Sequence, residues 1–159
     1  MSNAATSAER DARLMGQGSF WQDIVAGQTQ RTLRRTITES DLVNFISATG
    51  MLEAMFLEAD SEHGAIGGRP VPAALTYCLI EGFILQSMIQ ATGLAMLEVQ
   101  QDIKAPVRVN DTIWAVVEVT GIKPTSQGNR AVVGSLVSVY NQRDELVMTY
   151  ACKRLLAGR

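Results

Sequence analysis

The chain has 159 residues, of which 47% are hydrophobic and 19% charged, with a formal net charge of −2 and two cysteines. This is the size and balance of one globular, core-forming domain, and without a basic excess nothing favours nucleic acid as a partner. Cys78 and Cys152 lack metal-ligand spacing, so no metal site is expected, and they read as buried, reduced thiols.

Residues 1–18 are small and polar with scattered charges, which predicts a mobile or loosely docked tail ahead of a single domain over 19–159. The start of the chain lacks the basic-then-apolar pattern of a signal peptide, so a cytoplasmic protein is expected. From Thr29 to Thr36, alternation predicts an edge strand. Thr38 with Asp41 three residues on marks a helix start. Leu42, Phe45 and Ile46 form its apolar stripe, and Thr49-Gly50 ends it. Met51 to Asp60 has good helix formers, and the glycine- and proline-rich stretch to Pro72 reads as a loop.

Pro72 to Thr92 predicts one long helix, apolar around most of its circumference and stopped by Gly93. It is long enough to raise the question of a membrane span. Glu81 in its middle is costly in lipid, and no Lys or Arg cluster flanks it, so a helix wrapped by protein is expected and a membrane partner is not. A carboxylate in that setting needs a partner or a wet interface, and a hydrogen bond at a dimer interface is preferred over catalysis for Glu81.

Beyond Gly93 the pattern changes to strands. Leu94 to Ile103, Thr112 to Val119, Ala131 to Tyr140 and Leu146 to Lys153 are strand-like, with turns at residues 123–130 and at Asn141 to Asp144. The expected class is α+β: a curled antiparallel sheet wrapped around one long central helix. The open sheet edge predicts a dimer or a double-domain arrangement.

Several stretches, in order, resemble the MaoC-like dehydratases of the hotdog fold, whose best-known members are (R)-specific enoyl-CoA hydratases. They are Trp21 to Gln28, Thr36 to Phe45 ending in Thr49-Gly50, Gly67-Gly68-Arg69, Ile103 to Val107 through Asp111-Thr112-Ile113, and Asn141 to Tyr150. The resemblance spans roughly Phe20 to Leu156. It implies a hotdog that pairs with another, as a homodimer or as a heterodimer with a different hotdog subunit. It also implies an acyl-CoA-type thioester as substrate or ligand, no further cofactor, and reversible addition of water to an enoyl thioester.

The family performs that step with an aspartate directly after the Thr-Gly pair and a histidine five residues later. Here those positions are Met51 and Phe56, and the asparagine between them is Glu53. Neither Met nor Phe transfers a proton. The histidine-glycine pair that opens the family's long helix reads Pro72-Ala73, but a backbone N–H at Ala73 can still serve the thioester carbonyl. The substrate-binding candidates are therefore Gly68, Arg69, Met55, Ala73 and Glu81, with Arg69 offered to a CoA phosphate. The acid/base candidates are His63, the lone histidine, and Glu53.

Three readings follow. The chain is a thioester-binding hotdog without the usual dyad, possessing the role of a non-catalytic half in a hetero-oligomer. Alternatively it is an active hydratase, dehydratase or thioesterase with relocated groups. The third is a scaffold or interaction module without a ligand.

Overall fold

The structure, a computed structural model, describes residues 14–58 and 68–159. A single 3-10 turn (Trp21–Asp23) leads to β1 (Thr29–Arg31) and β2 (Arg35–Thr36). Helices α1 (Glu39–Thr49), α2 (Ala54–Leu57) and α3 (Ala73–Gln86) follow, then β3 (Gly93–Ile103), β4 (Thr112–Pro124), β5 (Arg130–Tyr140) and β6 (Leu146–Ala157). All strand pairings are antiparallel, in the order β1-β4-β5-β6-β3, with β2 also on β4.

Alternation decides which face is buried. Along β4, Ile113, Ala115, Val117 and Val119 are buried and their neighbours less so. The same period carries Val133, Val137 and Val139 on β5 and Met148, Tyr150 and Cys152 on β6. These residues form one cluster with Leu75, Ile80 and Ile84 of α3, so the sheet curls around that helix as expected.

Helix α1 begins as the sequence indicates. Thr38 Oγ1 accepts from the Asp41 N–H at 3.2 Å, and Asp41 Oδ2 accepts from the Thr38 N–H at 2.8 Å. Gly50 closes the helix in the left-handed region at φ 74°.

Several expectations need correction. The edge run from Thr29 to Thr36 is two short strands, because Thr32 turns its hydroxyl and N–H to Ala115 instead of continuing the ladder. The predicted helix from Met51 is confined to Ala54–Leu57, with residues from 59 to 67 outside the described chain. Helix α3 stops at Gln86 rather than Thr92. Ser87 Oγ donates to the Phe83 carbonyl at 2.6 Å, and the Ile89 N–H reaches back five residues to Ile84. The carbonyls of Met88 and Gln90 then accept from Ser19 and Gly18 at 2.9 and 2.8 Å. The segment before the domain is thus docked at its last residues. A Cβ at Gly18 would lie 2.5 Å from the Gln90 nitrogen, so only glycine permits the approach. Residues 1–13 of the expected tail lie outside the described chain. Cys78, expected to be buried, is exposed, whereas Cys152 is buried.

Strand β3 is exposed along all 11 residues and forms the far edge of the sheet. Val99, Gln101 and Ile103 stand opposite Cys152, Tyr150 and Met148 on β6. Directly paired residues share a face, so these three point to the concave side with the core, yet remain exposed. Among the described residues, no helix is long and apolar enough to cross a membrane.

Candidate functional site

A cavity of about 200 Å³ opens beside the N-terminus of α3. Met55 and Phe56 of α2 form one wall, and Pro70, Val71 and Pro72 lead into the helix residues Ala73 and Thr76. Ile103, the segment Ala105 to Val107, and Val147 and Met148 of β6 complete it. None of these side chains is charged, and Thr76 alone among them carries a side-chain oxygen or nitrogen.

The chain positions this site through local hydrogen bonds. Val71 N–H donates to Val107 at 2.9 Å, which ties the approach to α3 to the segment after β3. Asp111 Oδ2 holds the Arg108 N–H at 2.8 Å and fixes the following turn. Arg69 Nε donates to the Phe56 carbonyl at 2.7 Å while its guanidinium pairs with Glu39, so one arginine pins the short α2 turn against α1.

Pro72 is the N-cap of α3 and supplies no side-chain hydrogen bond. The Pro72 carbonyl accepts the Leu75 and Thr76 N–H groups at 2.9 and 3.4 Å, and no cap side chain serves the N–H groups ahead of them. They face the cavity end of a 14-residue helix, where the aligned peptide dipoles favour a partly negative oxygen. Thr76, one turn further in, is 1% exposed, and its hydroxyl has no hydrogen-bond partner.

The structure gathers Met55, Phe56 and Ala73 into this one cavity. Glu53 is outside the lining; its carboxylate caps α2 by accepting the Met55 N–H at 2.9 Å. Met51 is 40% exposed and Gly68, at φ 76°, packs near Arg108; neither lines the cavity. His63 lies outside the described residues. Thr76 was not singled out by the sequence, because a lone threonine on an apolar helix gives no sign of whether its hydroxyl is satisfied.

Glu81 belongs elsewhere. A second cavity, of about 530 Å³, lies between α3 and the start of β3, where Tyr77, Cys78, Glu81, Leu85, Met96 and Arg154 meet. Glu81 Oε1 accepts from Arg154 at 2.5 Å and from the Tyr150 hydroxyl at 2.7 Å. Both of these partners of the carboxylate lie within the chain. Burial and then the Glu81 charge push the Tyr150 phenol far above its ordinary value, so it remains a neutral donor. Burial works against the Arg154 charge, but Cys152, Glu81 and Tyr150 outweigh it and hold the guanidinium above its usual value. Among the described residues, no group of three or more His, Cys, Asp or Glu side chains could hold a metal ion.

Residues 25–150 match the family model described as FAS1-like, dehydratase domain region. An (R)-specific enoyl-CoA hydratase of Rhodospirillum rubrum is 26% identical over 105 residues, 66% of this chain and 72% of the relative. The solved MaoC-like dehydratase from Rhodospirillum rubrum matches with a TM-score of 0.80 at 21% identity, covering 89% of this chain and 99% of that one. A Mycobacterium tuberculosis protein with a double hotdog fold matches with a TM-score of 0.81 at 17% identity, covering 89% of this chain but 45% of that one. The sheet curled around α3 is a hotdog fold.

Proposed function

Because the chain belongs to the FAS1-like dehydratase region family and is a MaoC-like dehydratase-family hotdog, we propose that it binds an acyl-CoA-type thioester without the acid/base dyad used for hydration. The uncharged cavity headed by the uncapped N-terminus of α3 carries this reading. The apolar walls suit an acyl chain, and the Ala73 N–H, which no cap side chain serves, suits the thioester carbonyl. Met51 and Phe56 occupy the dyad positions and have no proton to exchange. The remaining open volume supports a ligand rather than a scaffold, whose pocket would be filled by side chains.

The hotdog pairs through β3, with a second copy or with a different hotdog subunit that brings the catalytic groups. Two observations support pairing. An 11-residue edge strand is exposed, and its concave-facing Val99 and Ile103 are 42% and 49% exposed. The double hotdog of the Mycobacterium protein, of which this chain covers 45%, is consistent with two such units side by side.

Titration calorimetry of the purified protein with saturated acyl-CoAs of short, medium and long chain tests the binding, and loss of the conjugated-thioester absorbance of an enoyl-CoA tests the chemistry. Saturable binding without turnover is the expected result. Turnover by the protein alone would overturn the non-catalytic assignment, and absence of binding at every chain length would overturn the thioester assignment.

A further inference from the structure

The outer face of the sheet carries a patch of arginine and aromatic side chains. On β4, Ile113 and Ala115 are fully buried, so alternation turns Trp114 between them to the outer face. Tyr140 of β5 pairs with Trp114 directly, and the two rings stack with centroids 4.9 Å apart. Arg31 of β1 stands opposite Val116, two residues further along that face. Its guanidinium carbon lies 5.8 Å from the centre of the Trp114 ring, and that of Arg34 lies 5.3 Å from it.

Two guanidinium groups on one indole repel each other, and the chain does little to neutralise them. Among the described residues Arg31 forms no ion pair with a carboxylate, although Glu118 is exposed on the same face opposite Thr29. Arg34 meets Asp144 at 3.7 Å, with side chains 49% and 72% exposed. Pairs this exposed are weak, so a better-placed carboxylate can displace Asp144. Stacking on a ring leaves the N–H edge of a guanidinium available to fork onto an oxyanion. The backbone beneath is fixed: the Thr32 N–H donates to the Ala115 carbonyl at 2.9 Å, and its hydroxyl accepts from the Ala115 N–H at 2.8 Å. Leu33, between Thr32 and Arg34 in the chain, is 74% exposed.

The chemistry narrows the occupant. Small molecules favour concave sites, and this is the outer face of a curled sheet. Nucleic acid asks for a broad basic surface, whereas this chain has a net charge of −2 and carries Asp144 and Glu118 beside the arginines. Tryptophan, tyrosine and arginine together are the side chains that anchor protein interfaces. We propose that this patch docks an acidic segment of another protein, with its carboxylates held by Arg31 and Arg34 and an apolar side chain set against Leu33. None of these residues lines the cavity beside α3, so the inference stands apart from the thioester reading.

The test follows the Trp114 indole N–H by nuclear magnetic resonance in the full chain, with the signal identified by its loss in Trp114→Phe. The probes are a synthetic peptide of alternating glutamate and leucine, its glutamine-for-glutamate counterpart, and inorganic pyrophosphate. The glutamate peptide is expected to shift the signal saturably, more weakly as salt is raised, and the glutamine peptide is expected not to. Arg31→Gln and Arg34→Gln should each weaken the glutamate peptide about fivefold. Leu33→Ser, a change at an exposed position that leaves the melting temperature as it is, should weaken it too. No shift with the glutamate peptide, an equal shift with the glutamine peptide, or unchanged affinity in the arginine variants overturns the proposal. Pyrophosphate binding as tightly as the peptide, with Leu33→Ser without effect, would reduce the patch to a simple anion site and overturn the protein partner.

Discussion

Replacing Glu81 by leucine should be among the most damaging single changes in this chain. Glu81 and Arg154 are 8% and 4% exposed, and their ion pair is joined by the Tyr150 hydroxyl, itself on a residue 1% exposed. Removing the carboxylate strands a buried guanidinium whose other contact is the sulfur of Cys152, and whose Nε already has no partner. Removing one member of a buried pair costs about 3–5 kcal/mol, whereas replacing both by apolar groups is often neutral. The neighbouring cavity of about 530 Å³ offers water some access to Arg154, which places the expectation at the lower end, about 3 kcal/mol. For a domain of this size that corresponds to a fall in melting temperature of roughly 6–12 °C. Urea unfolding of native protein, Glu81→Leu, Arg154→Met and the double variant completes a thermodynamic cycle. With each single variant about 3 kcal/mol below native and the double variant within about 1 kcal/mol of it, the coupling energy is roughly 5–6 kcal/mol. A Glu81→Leu cost below about 1 kcal/mol, or additive losses in the double variant, would show that Arg154 does not depend on this carboxylate.

Two further predictions concern the surface. The Asp41 carboxyl titrates below its ordinary value: burial pushes it up, but hydrogen bonds from Thr38 and the charge and hydrogen bond of Arg35 outweigh that. With the folded value depressed, the stabilisation is full above the unfolded value and disappears as pH falls through the folded one. Asp41→Asn should therefore lower stability by about 1 kcal/mol at neutral pH, with the gap closing below pH 3.8, and a gap that persists in acid would refute the linkage. Val99→Lys places a charge on the concave side of the exposed β3 edge and should abolish the proposed pairing, read by light scattering as a monomer mass where the native protein gives a dimer; a dimer mass retained in the variant would move the interface off β3.

The sequence carried the periodic features well and the contingent ones poorly. Strands β4, β5 and β6 were legible because one buried face imposes a strict period of two. The cap at Thr38 and Asp41 was legible because its partners are three residues apart. The end of α3 was not, because nothing in Ser87 to Thr92 forbids a helix; docking of Gly18 and Ser19 onto its carbonyls decides it. Glu81 was recognisable as a carboxylate needing a partner, but Arg154 is 73 residues away and only the folded sheet brings it near. Arg69 stood beside the expected site in sequence, and its hydrogen bonds go to Phe56 and Glu39.

The same distinction separates binding from chemistry in the proposed site. Binding a thioester carbonyl asks for backbone N–H groups at a helix start and for apolar walls, and the fold supplies these with almost any residues that permit α3 and β6 to form. Hydration asks for two particular side chains with exchangeable protons at fixed positions, and a single substitution at either removes it. A hotdog can therefore lose its dyad and keep its pocket, and selection on the remaining function would then act on what the pocket recognises.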